Sequence, residues 1–228
     1  MHAVIINGSP RVKKYSNTDK IIGAFSEGMK ESGATCEVYE VSDKKQWEAI
    51  RKAFLTNENI LIALPLFVEC IPGILMEFLE TLEPVLRAYR ESGSGEDLPP
   101  KKLSFILQSG FAEGVQLRCG EAYLEKLAGM LGCEYGGTLV KGDNFSIRLV
   151  EGEQREKMIA PYKEMGRLYG ENGHFRLGEC RNFTGPEEFP APVRLLVGVL
   201  FKTVLKKHFR KAAAEWGCTK PLTDRPYC

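Results

Sequence analysis

Between residues 2 and 169, segments with strand spacing alternate with segments with helix spacing, and they do so five times. Residues 2–6 are a short apolar run of strand length. Residues 19–32 then place Ile21, Ile22, Phe25 and Met29 at the recurrence of one helix face, and Gly33 stops the pattern. Residues 36–41 predict a second strand and 45–55 a second helix. Residues 59–64 are apolar at nearly every position, as befits a strand covered on both faces, and Pro65 ends the run. Residues 74–89 return to helical spacing, with Pro84 expected to bend or break the helix. Residues 92–102 predict a long surface loop, because 103–108 resume the strand series. A helix at 116–131, a glycine-interrupted strand at 133–141 and a helix at 151–169 complete the alternation. Such alternation requires right-handed crossovers and a parallel sheet with helices on both faces. The expected fold is a three-layer, doubly wound α/β domain on a five-stranded parallel sheet.

Composition closes off other classes. The chain has 228 residues, 43% hydrophobic and 27% charged, which excludes a disordered, collagen-like or disulfide-scaffold chain. The seven cysteines are odd in number, widely spaced and never in a C-x-x-C pair. Neither a zinc ribbon nor a clustered iron–sulfur site is expected, and no metal ligands are assigned. No basic n-region precedes the first apolar residues. The longest uncharged apolar run of the tail, 195–201, is seven residues, well short of the ~18 a membrane span needs. A cytoplasmic location is the expectation.

The totals of 31 Lys+Arg and 30 Asp+Glu conceal an asymmetry, since residues 191–228 hold eight basic and two acidic side chains. The alternation stops near residue 172, so the predicted domains are 1–172 and a C-terminal helical extension, 173–228. Residues 183–192 are too rich in proline for regular structure. Residues 193–216 predict a basic amphipathic helix, with Arg194, Lys202, Lys206 and Arg210 on one stripe. Its apolar face of Leu195, Leu196, Val199, Leu200, Val204 and Leu205 is expected to pack on its own domain or in a homo-oligomer (dimer or tetramer). Peripheral contact with an anionic membrane surface is the alternative. No nucleic-acid-binding motif accompanies the charge, so nucleic acid is not an expected partner.

In a sheet of order 2-1-3-4-5 a ligand lies beyond the carboxyl ends of the strands, between strands 1 and 3. The loops after strands 1, 3 and 4 are therefore the candidates. The first, Asn7 to Thr18, holds three cations, several hydroxyls and no acid, and runs into a helix N-terminus. Hydroxyls, backbone N–H groups and the helix dipole suit a phosphomonoester, and Arg11 adds a bidentate donor. The same residues also read as a turn followed by a Ser/Thr helix cap, which needs no ligand. Neither a G-x-x-x-x-G-K-[ST] loop nor a G-x-G-x-x-G turn occurs, which favours a mononucleotide over ATP or a dinucleotide. The second loop, 65–73, offers one aromatic, two prolines and a glycine for the face and edge of a flat heterocycle; burial under a neighbouring helix or subunit is the competing reading. Its Cys70 is expected to be a buried, inert thiol rather than a redox-sensitive one. The third loop, 108–114, brings backbone and hydroxyl donors to the same place.

Asn-Gly-Ser-Pro-Arg followed by Ser-Asn-Thr, then Pro-Leu-Phe leading to Ile-Pro-Gly, then Ser-Gly-Phe after the fourth strand, resembles the NADPH-dependent FMN reductase family of the flavodoxin-like superfamily, over roughly residues 1–170. The resemblance implies a flavodoxin-like sheet and FMN as cofactor. The phosphate positions fall on Ser9, Arg11, Ser16, Asn17 and Thr18. The isoalloxazine edge falls on Pro65, Leu66, Phe67 and Val68, and a third contact on Ser109 and Gly110. It further implies hydride transfer from NADPH or NADH to the flavin and then to a small-molecule electron acceptor such as a quinone or flavin. No general acid is needed for the first half-reaction, and His2, His174 and His208 all lie outside the three loops, so catalytic residues are left unassigned. An electron carrier reduced by a protein partner, and a flavin-free module with a docking tail, are the alternatives.

Overall fold

A computed structural model describes residues 1–91, 101–221 and 223–225. The expected surface loop at 92–102 lies outside the described residues but for its last two. Five strands, β1 (His2–Asn7), β2 (Thr35–Glu40), β3 (Asn59–Pro65), β4 (Lys102–Gln108) and β5 (Glu134–Lys141), form one sheet in the order 2-1-3-4-5. Every pairing is parallel. This is the flavodoxin-like, doubly wound arrangement.

The period-2 alternation of each strand divides the core into two layers. Val4 and Ile6 of β1, Ile60, Ile62 and Leu64 of β3, and Leu103, Phe105 and Leu107 of β4 face one layer. That layer is closed by Ile50 and Phe54 of α2 (Trp47–Thr56), Phe78 and Leu82 of α3 (Gly73–Glu91), and Leu124 of α4 (Arg118–Met130). Ala3 and Ile5, Leu61 and Ala63, and Ile106 face the other. There they meet Ile21, Phe25 and Met29 of α1 (Asn17–Glu31) and Tyr162 and Tyr169 of α5 (Glu153–Asn172). Each large apolar side chain fully buried here contributes roughly 1.5–3 kcal/mol.

Pro84 does not interrupt its helix: α3 runs unbroken from Gly73 to Glu91. Pro84 sits on the exposed side, while Phe78, Leu79, Leu82 and Leu86 anchor both flanks in the core. Tertiary burial outweighs the hydrogen bond lost at the proline.

The chain divides into two compact units, Met1–Glu187 and Glu188–Cys228. The expected boundary at residue 172 therefore falls inside the first unit. The reason is a sixth helix, α6 (Leu177–Thr184), whose Cys180 and Phe183 are buried together with Phe175 in the α1/α5 layer. Gly137, at φ 90°, lets the incoming chain pass so closely that a β-carbon there would stand 3.0 Å from the Phe175 carbonyl oxygen. The Phe175 N–H donates to the Gly136 carbonyl (2.8 Å), and the N–H groups of Gly114 and Val115 donate to the carbonyls of Pro186 and Glu187 (both 3.1 Å).

The second unit holds one helical run, close to the expected 193–216: α7 (Ala191–Leu200), a π-helical turn (Phe201–Leu205) and α8 (Lys206–Glu215). Within it, apolar side chains crowd the first half and cations the second. None of the run's residues is buried. Among the described residues, no helix is long and apolar enough to cross a membrane.

Candidate functional site

The carboxyl ends of β1, β3 and β4 open into a cavity of about 250 Å³ lined by Ser9, Arg11, Asn17, Thr18, Pro65, Leu66, Phe67, Gln108, Ser109, Gly110 and Phe145. The cavity brings together every sequence-predicted site residue except Ser16 and Val68. It lies at the β1/β3 switch point, where the strand order reverses and neighbouring crossovers leave on opposite faces.

The first loop is organised by its own side chains. The Ser9 N–H donates to Asn7 Oδ1 (3.0 Å), and the Arg11 N–H to Ser9 Oγ (3.3 Å). Ser16 is the N-cap of α1: its hydroxyl accepts from the Asp19 N–H at 3.2 Å. This satisfies one of the orphan donors of the first turn and leaves those of Asn17 and Thr18 without intrahelical acceptors. Thr18 is buried, and its Oγ1 accepts from Gln108 Nε2 (3.2 Å), so the hydroxyl proton remains to be donated. Asn17 is committed to the protein. Its Nδ2 donates to the Asn144 carbonyl (2.7 Å), and its Oδ1 accepts the Arg148 N–H (3.0 Å).

Of the loop's three cations, Lys13 pairs with Glu40 (3.4 Å) and Lys14 lies over the Tyr15 ring. Arg11 alone lines the cavity, and it forms no ion pair among the described residues. Partial burial and the nearby Arg148 both lower its pKa. It remains a cation in spite of this.

Glu40 is buried, which raises its pKa; Lys13 offsets that only in part. A carboxyl whose folded pKa is raised costs stability once it ionises, so this cost grows as pH rises above the ordinary carboxylate range. Glu40→Gln is therefore expected to raise the melting temperature at pH 7, with the gain shrinking to nothing as pH falls towards 4. A melting curve unchanged at pH 7 would contradict this.

The second loop is a two-residue hairpin turn. Phe67 and Cys70 exchange both backbone hydrogen bonds (2.9 and 3.0 Å) around Val68 and Glu69. Val68 takes φ 56°, a conformation that costs a β-branched residue of order 1–3 kcal/mol. The turn presents Phe67 to the cavity and points Val68 to solvent, which is why Val68 does not line it. Cys70 is exposed, contrary to expectation. The hairpin carries it outward, while Leu66 and Ile71 on either side bury. In the third loop Ser109 Oγ accepts from the Phe111 N–H (3.1 Å), and Gly110 packs beside Phe145, whose Cβ lies 3.4 Å, an ordinary contact distance, from where a β-carbon at residue 110 would stand.

Sequence reasoning missed a fourth wall, the segment after β5. Asn144 donates from Nδ2 to the Lys141 carbonyl (2.9 Å) and to the buried Tyr162 hydroxyl (2.8 Å). This sets Phe145 against the cavity and Arg148 over the Phe145 ring, at 5.3 Å. Asn-Phe-Ser-Ile-Arg after the last strand is the available signal, but β5 lies two strands from the switch point, so the strand-order rule does not point to it. Gln108, at the end of β4, carries no local signal that sets it apart from the strand it ends. Among the described residues no group of three or more His, Cys, Asp or Glu side chains is placed to hold a metal ion. The arrangement offers cationic and helix-terminal donors together with the apolar walls of Leu66, Phe67 and Phe145. It suits a phosphorylated, flat heteroaromatic molecule.

No protein-family model matches the chain, and no curated protein matches it in sequence. Solved structures share its fold. It is similar to a flavone reductase at 18% identity and TM-score 0.51, over 76% of this chain and 63% of that one. It is similar to the NADPH-quinone reductase from P. pentosaceus at 17% identity and TM-score 0.50, over 73% and 98%. It is similar to the Trp repressor binding protein from Bacillus subtilis at 16% identity and TM-score 0.51, over 70% and 96%. The chain thus spans under two thirds of the length of the flavone reductase. At these identities the likeness establishes the flavodoxin-like fold.

Proposed function

We propose that this chain is an FMN-dependent NAD(P)H oxidoreductase that passes reducing equivalents to a small-molecule acceptor such as a quinone or flavin. One observation carries the reading: Arg11 and the N-terminus of α1 share a single cavity at the sheet's switch point with the apolar walls of Leu66, Phe67 and Phe145. Two of the similar folds belong to proteins named as reductases of flavone and of quinone, both flat conjugated carbonyl compounds.

Bound FMN would supply the hydride chemistry itself. The protein's part is to bind and orient. Arg11, the Thr18 hydroxyl and the first-turn N–H groups of α1 hold the phosphate. Ser9, Asn17 and Ser16 shape that cradle, Ser16 by capping the helix rather than by touching the ligand. Phe67, Leu66 and Phe145 enclose the ring and exclude water from it. The Gly110 N–H and the neighbouring Ser109 stand at the third side and favour electron-rich forms of the ring edge. No side chain is assigned as proton donor.

The test is spectroscopic. After incubation with FMN and desalting, the protein is expected to retain flavin absorption near about 450 nm and to bleach on anaerobic addition of NADPH or NADH. A colourless protein would overturn the flavin reading. Retained flavin that neither nucleotide bleaches would overturn the enzymatic one and leave an electron carrier.

A further inference from the structure

We propose that Arg148 is a second binding residue for the ligand's phosphate, acting with Arg11 to select a phosphomonoester dianion over a phosphodiester or an unphosphorylated flavin. The inference rests on the flavin reading for the identity of the ligand, but its observations are separate.

The first is placement. Asn17 opens α1, and its side chain holds the Arg148 N–H at 3.0 Å while donating to the Asn144 carbonyl at 2.7 Å. These bonds tie the segment after β5 to the residue at the helix N-terminus. From there the Arg148 guanidinium lies over Phe145, itself a wall of the cavity.

The second is charge. The neighbouring cations are already engaged: Lys13 with Glu40, Lys20 with Asp19, and Arg155 with the Ile147 carbonyl and Glu151. Among the described residues Arg11 and Arg148 form no ion pair. The Arg148 Nε–H is buried without an acceptor, a cost that folded proteins rarely leave unrelieved. The two guanidinium groups are also near enough for Arg148 to oppose the charge on Arg11. Two like charges beside a helix N-terminus, neither in an ion pair among the described residues and the first turn's one acid, Asp19, already paired with Lys20, make a site for an anion.

The third is the ligand's own charge. A phosphomonoester carries about −1.5 to −2 at neutral pH, which two guanidinium groups match, whereas each phosphate of a dinucleotide's pyrophosphate bridge carries one charge. A stacking role for Arg148 alone would not distinguish among these ligands.

The experiment measures dissociation constants of FMN, FAD and riboflavin by fluorescence quenching for the wild type, Arg148→Gln and Arg148→Lys. Circular dichroism and melting confirm that each variant folds. Arg148→Gln is expected to weaken FMN by about ten- to a hundredfold, to leave riboflavin unchanged and to collapse the preference for FMN over FAD. Arg148→Lys is expected to recover part of the loss. FMN binding equal to wild type, or FMN and riboflavin weakened together, would overturn the proposal while leaving the flavin reading intact. Should the wild type bind none of the three, the flavin reading fails, and inorganic phosphate becomes the probe. A thermal shift by phosphate in wild type but not in Arg148→Gln would still support the subsite, and equal or absent shifts would overturn it.

Discussion

Gly166→Ala is expected to destabilise the protein by about 3 kcal/mol or more, seen as a melting temperature lower by about 6–12 °C for a chain of this size. A β-carbon at Gly166 would stand 2.0 Å from the Phe25 carbonyl oxygen, and one at Gly28 would stand 1.8 Å from the Lys163 carbonyl oxygen. The obstacles are backbone atoms, so no rotamer change relieves them; α1 and α5 must move apart. That separation would loosen Phe25, Tyr162 and Tyr169 in the layer between them. Because α1 also presents its N-terminus to the cavity, ligand affinity should fall with stability. Gly23 supplies the control. It lies on the exposed side of α1 with nothing within 4 Å of its would-be β-carbon, so Gly23→Ala should stabilise by roughly 0.5–1 kcal/mol through helix propensity. If Gly166→Ala melted with the wild type, the close crossing of these helices would be wrong.

Arg11→Glu is the second large effect. It removes the cation that lines the cavity and puts an anion where the phosphate should lie, so FMN affinity is expected to fall by two to three orders of magnitude, about 3–4 kcal/mol. Melting in the absence of flavin should not fall, since Arg11 is exposed, forms no ion pair among the described residues and is opposed by the charge of Arg148. Lys14→Glu, in the same loop but over the Tyr15 ring, should alter affinity only a few-fold. Equal losses in both variants would indicate a general field effect rather than a contact by Arg11. Ser16 is a poor companion mutation. As the cap of α1 it contributes about 1 kcal/mol to the helix, and its loss would mix stability with binding.

Much of this molecule is legible in the chain alone. Strand and helix periods are local properties of the chain, so the five alternations, and hence the parallel sheet, followed from positions such as Ile21, Ile22, Phe25 and Met29 or the apolar run ending at Pro65. The switch-point rule then nominated three loops, and nine of the eleven residues taken from them line one cavity. What was illegible depends on contacts between distant segments. Pro84 reads as a bend or break in its helix, and that the helix runs on past it becomes clear only once Leu82 and Leu86 are seen anchored in the core. Residues 173–187 read as the start of an extension because nothing local shows that Gly137 admits Phe175 or that Phe183 packs on Tyr162. Val68 reads as a site residue, and only the hairpin shows its side chain turned to solvent; Cys70 reads as a buried thiol until the same turn exposes it.

The sequence by itself determined the class of fold, the loops that gather at one end of the sheet and the anion-seeking chemistry of the first of them. These follow from side-chain period, turn residues and charge, each readable within a dozen positions. The tertiary structure decided which cation faces the cavity, the fourth wall of Phe145 with Arg148 over its ring, and the limit of the first unit. Each of these is set by a contact across many residues, as when Asn17 reaches the Arg148 N–H. Such a pairing is fixed by packing geometry, to which local pattern is blind.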